Sequence, residues 1–153
     1  MKTEPHVFSI EDLARCPQQT TGWVGVRNYQ ARNWMRDSMR LGDRILIYHS
    51  SCAVPSVVGM ARVARTSHPD PTQWDATSPY FDPKSTRENP RWQMVDVQLV
   101  SMLAYPLSIR QLREVPELAD MMLLKRGMRL SIQPVTPAEF ACIERLGKHP
   151  PKP

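Results

Sequence analysis

The sequence predicts an α+β domain: a small, curved, mostly antiparallel sheet or barrel flanked by short helices. Three observations carry this. Strand-like and helix-like stretches follow one another irregularly, without the regular βαβ alternation of a parallel doubly wound sheet. The strand candidates are β-branched or alternate with period two, while the helix candidates are short and bounded by capping residues. The 15 prolines are roughly twice the average usage of ~5%, and most lie outside periodic stretches, where they punctuate short elements. A chain of 153 residues fits one domain. At that size roughly 70% of the unfolded surface is buried on folding, so neither a disulfide nor a metal is required.

The elements follow in order. Lys2 and Thr3 lie on a first strand. Ser9-Ile-Glu-Asp12 has the form of a capping box before a short helix carrying Ile10, Leu13 and Ala14, which Pro17 ends. Thr21 to Val26 is short and β-favouring. Asn28 is an N-cap for a helix from Tyr29 to about Met39, apolar along Ala31, Trp34 and Met35 and basic along Arg32, Arg36 and Arg40. Leu41-Gly42-Asp43 is a turn. Arg44 to Tyr48 and Val57 to Thr66 read as strands, with Gly59 a bulge or a close-approach site. Pro69, Pro71, Pro79, Pro83 and Pro90 mark a long stiffened surface loop, in which the interleaved Trp74, Tyr80, Phe81 and Trp92 can pack. Trp92 to Val100 alternates as a third long strand. Ser108 caps a short helix with Ile109, Leu112 and Val115, and Leu118 to Leu124 is helical or turned. Arg129 to Gln133 reads as a final short strand. Thr136-Pro-Ala-Glu139 is a capping box with proline at the first helical position, opening a helix that runs to about Leu146 and ends near Gly147.

Composition narrows the function classes. Apolar residues are 41% and charged residues 23%, an ordinary globular balance. No apolar run approaches the ~20 residues that cross a bilayer, and Met1-Lys2-Thr3-Glu4-Pro5 has no signal-peptide core, so a cytoplasmic protein without membrane contact is expected. Cys16, Cys52 and Cys142 are odd in number and far apart, which is a poor disulfide framework, and no metal-ligand spacing exists. No nucleophile elbow, phosphate loop or dinucleotide fingerprint is present. His49 and Ser50 are neighbours on a strand and point to opposite faces, which works against a nucleophile pair. Asp70, Asp75 and Asp82 read as turn-formers. A non-enzymatic protein with no metal and no cofactor is expected. The net charge of +5 favours polyanions, though charge alone is a weak signal.

The informative stretch is Gly22 to Trp34. It gathers aromatic faces, amides and guanidiniums within about a dozen residues. Aromatics stack on bases for roughly 1–3 kcal/mol each. Asn and Gln pair with base edges, and Arg with phosphates or base acceptors. The competing reading makes Trp23, Tyr29 and Trp34 core residues and leaves the arginines solvated.

A run of motifs then makes a specific resemblance. Met1-Lys-Thr-Glu-Pro5, Phe8-Ser9-Ile10, Gly25-Val-Arg-Asn-Tyr-Gln-Ala-Arg-Asn33, Gly42-Asp43, Tyr48-His-Ser50, Pro69-Asp-Pro-Thr72, Ser78-Pro-Tyr80, Asp82-Pro-Lys-Ser85, Asn89-Pro-Arg-Trp92, Val95-Asp96-Val97 and Gly127-x-Arg129-Leu-Ser-x-Gln-Pro-Val-Thr136 together resemble the EVE domain. The resemblance implies an EVE domain over residues 1–147 with a short tail at 148–153. It implies a PUA-like fold, a small curved β-barrel with helices at its rim. It also implies binding of nucleic acid, with one modified base, of the modified-cytosine type, held in a pocket; DNA is favoured over RNA as the partner, and a monomer is expected. The pocket residues it implies are Lys2, Thr3, Trp23, Val26, Asn28, Tyr48, His49, Ser50, Ser131 and Gln133. Asn28, Ser50 and Ser131 are expected on the base edge, Trp23 or Tyr48 on its face, and Arg27, Arg32 and Arg129 on phosphates. Two alternatives stand beside this. One is a hydrolase or other small-molecule enzyme using Lys2, Glu4 or His49 in the same pocket. The other is a protein-interaction module presenting Trp74, Tyr80 and Phe81.

Overall fold

The computed structural model describes residues 1–150; the last three positions of the tail expected at 148–153 lie outside the described residues. The elements in chain order are β1 (Lys2–Thr3), α1 (Ile10–Arg15), β2 (Thr20–Gly22), α2 (Tyr29–Asp37), β3 (Arg44–His49), β4 (Ser56–Pro69), β5 (Gln93–Ser108), α3 (Ile109–Arg113) and α4 (Pro137–Leu146). Single 3-10 turns occupy Pro17–Gln19, Pro71–Trp74, Pro116–Leu118 and Met122–Leu124.

The strands form one mixed sheet in the order β1-β3-β4-β5-β2. β3, β4, β5 and β2 run antiparallel, while β1 joins β3 in parallel, with Lys2 opposite Tyr48 and Thr3 opposite His49. The fold is α+β as expected, but the sheet is open, not a closed barrel. Closure needs the two edge strands to pair, and here β1 and β2 lie at opposite edges. The segment Arg129–Gln133, expected as a strand, is not one. Its backbone link to the sheet is the Lys2 N–H donating to the Ser131 carbonyl at 2.8 Å. Gly127 at φ +75° turns the chain on entry, and the Gln133 side chain folds back to donate to the Leu130 carbonyl.

β3 explains why the sheet does not enclose an interior. Its Ile45 and Ile47 belong to a core under α1 and α2, with Ile10, Leu13, Met35 and Val97. Its Leu46 and Tyr48 point the other way, into a second core with Leu112, Phe140 and Ile143 of α3 and α4. A strand buried on both faces sits between two helical layers. Gly59 lies at a register shift of β4, where an added Cβ would overlap the Ile10 side chain and come within 2.7 Å of the Ser101 carbonyl. The close approach of α1 to the sheet depends on that missing methyl.

Capping sets the helix starts. Ser9 with Asp12, Ser108 with Gln111 and Thr136 with Glu139 form complete capping boxes, and the Asn28 side chain accepts from the Ala31 amide. The proline-rich segment is an ordered arm. Gln73, fully buried, donates to the Asp70 and Trp92 carbonyls and accepts from the Ser85 hydroxyl and the Trp92 amide.

Candidate functional site

Three segments meet at the parallel edge. β1 is held by β3 on one side and by Ser131 on the other. The Ser50 amide donates to the Thr3 carbonyl at 3.0 Å, and the Thr3 hydroxyl donates to the Phe8 carbonyl at 2.6 Å, folding residues 4–8 back over the edge. Ser51, at φ +53°, turns the chain out of β3. Between this edge and the segment after β2 opens a cleft of about 660 Å³.

Of the expected pocket residues, Lys2, Thr3, Trp23, Val26, Ser50 and Ser131 line this cleft, and Arg129 lies at it too. Trp23 is buried and meets Phe8 edge-on, with ring centroids 6.1 Å apart at 87°. The Ser50 and Ser131 hydroxyls make no hydrogen bond among the described residues, so both remain available to a ligand. Burial pulls the Lys2 ammonium below the usual lysine value; its Nζ donates to the Met128 carbonyl at 3.2 Å. Arg129 is exposed and forms no ion pair among the described residues, while Glu4 pairs with His6 at 3.2 Å. Lys125 and Arg126 are exposed on the same loop as Arg129.

The remaining four expected residues, Asn28, Tyr48, His49 and Gln133, do not line that cleft. Tyr48 and Gln133 line a second cavity, about 540 Å³, which shares only Lys2 and Ser131 with the first. Tyr48 follows from strand alternation: Ile47 before it lies in the first core and His49 after it accepts from Ile10, so its ring faces the second core. Asn28 is exposed and occupied as the cap of α2, its Oδ1 accepting from Ala31 N at 3.1 Å. His49 accepts the Ile10 amide on Nε2 at 3.1 Å, and burial pushes its imidazole below the usual histidine value, so it is a neutral acceptor tying α1 to β3.

Two of the three residues expected on phosphates are engaged by other groups of the protein. Arg27 donates to Asp70 (3.0 Å), to Thr72 Oγ1 (3.1 Å), twice to the Tyr80 carbonyl (3.0 and 2.8 Å) and to the Val26 carbonyl. Arg32 donates to Asn33 Oδ1 and the Arg91 carbonyl, and its guanidinium carbon lies 4.6 Å from the Tyr29 ring centroid. Arg129 alone keeps its guanidinium free at the cleft. The sequence reading missed Tyr80 as a lining residue, along with Phe8, Val24 and Gly25. The Gly25 conformation, φ +86°, leaves a trace in the sequence as a glycine between two valines. Tyr80 leaves none, because its place in the cleft depends on how the proline-rich arm folds back.

An open mixed sheet, with helices on both faces and a polar-mouthed cleft at its parallel edge, defines a small α+β domain. The chain matches the family described as EVE domain over residues 1–146. It is 46% identical over 152 residues to thymocyte nuclear protein 1 of Gallus gallus, covering 94% of this chain and 62% of that protein, and thus spans less than two thirds of that relative's length. It is 40% identical over 168 residues to the Homo sapiens protein of the same name, covering 99% of this chain and 74% of that one. Among solved structures it is similar to human THYN1 in complex with 5-methylcytosine-containing DNA, at TM-score 0.92 and 41% identity, covering 99% of this chain and 97% of that one. It is also similar to a hypothetical protein from Leishmania major, at TM-score 0.90 and 47% identity, covering 96% of this chain and 91% of that one. This chain belongs to the EVE domain family.

Proposed function

We propose that this chain binds DNA and holds a single base, of the modified-cytosine type, in the cleft at the parallel edge. The observation that carries the reading is the make-up of that cleft. A buried Trp23, the uncommitted hydroxyls of Ser50 and Ser131, and a free Arg129 cation converge on one concavity. Its volume of about 660 Å³ falls within the few-hundred to ~1,000 Å³ usual for small-ligand sites. Extruding a base costs a few kcal/mol. The indole face, hydroxyl hydrogen bonds to the base edge and phosphate contacts outside the cleft are the terms that offset it. The structural similarity to a human protein in complex with 5-methylcytosine-containing DNA supports the same partner class here. The reading takes DNA over RNA, one copy as the binding unit, and the fold as a PUA-like one whose sheet stays open. Ser50 and Ser131 take the base edge, and Trp23 the base face.

The reading is also non-catalytic. Lys2 is the cleft's candidate for proton or Schiff-base chemistry, being lined into the cleft and lowered by burial. Its ammonium is instead engaged by the Met128 carbonyl, which gives it a tethering role for the 125–131 loop.

The test is binding at fixed salt to matched duplexes carrying one cytosine or one 5-methylcytosine, with the matching RNA as a further arm. The modified duplex is expected to bind at least about tenfold more tightly, a difference of ~1.4 kcal/mol. Equal, near-absent affinity for every oligonucleotide sinks the proposal.

A further inference from the structure

We propose that Tyr80 is a second aromatic face of the cleft, in contact with the bound base, and that the ion pair of buried Asp70 with Arg27 is the device that holds it there. This rests on the base-binding reading above and adds to it a residue from a segment that reads, in sequence, as a surface loop.

The geometry starts at Gly25. A Cβ there would lie 2.7–2.8 Å from the Tyr80 ring, so the ring rests directly on the Gly25 backbone, and both residues line the cleft. The Tyr80 backbone is held at both ends. Its amide donates to the Ser78 hydroxyl at 3.1 Å, and its carbonyl accepts two N–H groups of Arg27. Pro79 restricts the chain immediately before it. The guanidinium carbon of Arg27 lies 5.7 Å from the Tyr80 ring centroid and 5.4 Å from that of Trp92.

Asp70 closes the arrangement. It has no exposed surface, and its Oδ2 accepts from both Arg27 Nη1 (3.0 Å) and the Gly25 amide (2.9 Å). One carboxylate oxygen therefore fixes both the floor under the ring and the side chain that grips the ring's backbone. Its other oxygen accepts from the Thr72 amide and hydroxyl, anchoring the start of the arm. An aromatic ring held this firmly on a glycine at a cleft wall presents its face at little further ordering cost when a base arrives. Arg27 is thus a positioning residue whose donors are committed.

The experiment measures the affinity of a duplex carrying 5-methylcytosine for the full chain and for Y80F, Y80L, Y80A, R27Q and the R27Q/Y80A double variant, with thermal midpoints alongside. Y80F is expected within about threefold of the unsubstituted chain, and Y80L and Y80A weaker by roughly tenfold or more, the size of one base–aromatic stack. R27Q is expected to weaken binding, with the double variant no weaker than the more affected single one. If Y80A does not fold, Y80L, which keeps bulk against Gly25, carries the comparison. Y80L binding as tightly as the unsubstituted chain overturns the aromatic role, and fully additive losses overturn the positioning role. An unsubstituted chain that binds no duplex defeats the base-binding reading itself, a result distinct from either.

Discussion

Asp70 shows how much one side chain decides here. Burial pushes its carboxyl up, but the Thr72 hydroxyl, the Gly25 amide, Arg27 and the Thr72 amide outweigh that and hold it below the ordinary carboxylate value. Removing it strands the Arg27 guanidinium, so Asp70→Ala is expected to cost about 3–5 kcal/mol in urea unfolding. Because its folded value is depressed, Asp70's contribution is present above the unfolded value of ~3.9 and is lost as pH falls through the folded one; Asp70→Asn should flatten stability in that window. His49 acts in a milder range. Its depressed value means that the unfolded chain takes up a proton first as pH drops below ~6.5, so folding weakens from there down to the folded value. His49→Gln is expected to remove that part of the slope between pH 7 and 5, read as urea midpoint against pH; an unchanged slope would assign it to other groups. At this scale the sequence was least informative. Arg27 sits in a stretch that reads as solvent- or phosphate-facing, and its partner is 43 residues away. Nothing local announces the pair.

At the scale of elements the chain is far more legible, since caps and alternation act over three or four residues. Ser9, Asn28, Ser108 and Thr136 were each readable as helix starts, and each accepts the expected amide. Thr136→Ala is expected to destabilise by ~1 kcal/mol in chemical denaturation, because α4 carries Phe140, Cys142 and Ile143 into the second core. Gly59→Ala is expected to cost about 1–3 kcal/mol, because the Ser101 carbonyl is backbone and cannot step aside as a side-chain tip would. The segment 129–133 is the instructive difference. Ile132 is buried in the first core while Arg129 is exposed. A buried side chain does not by itself make a strand. Strand pairing needs a partner with matching length, and two-residue β1 supplies a single hydrogen bond.

For the whole molecule, the proposed DNA binding can be tested through charge and cleft position. The net charge of +5 is spread over many arginines, and the fold sorts them. Arg27 and Arg32 are engaged by neighbouring protein groups, while Lys125, Arg126 and Arg129 share an exposed loop at the cleft. Arg129→Ala is expected to lower the magnitude of the slope of log affinity against log salt by about 0.9, as one lost phosphate contact does, whereas R27Q leaves the slope unchanged. Fluorescence anisotropy across a salt series reads both. A slope that falls for R27Q and not for Arg129→Ala would reverse the assignment.

Taken by itself, the amino-acid sequence determined the α+β class, the helix starts, the starts of the three central strands (β5 runs on to Ser108, past the expected end at Val100) and, through its run of motifs, membership of the EVE domain family, because each of these rests on patterns contiguous along the chain. Only the tertiary structure decided that the sheet stays open, that Tyr48 faces away from Trp23's cleft, and that Tyr80 joins it. Those outcomes depend on strand register and on contacts between distant segments. A one-residue step along β3 moves a side chain from one core to the other, and a buried carboxylate chooses its partners by where the fold places them.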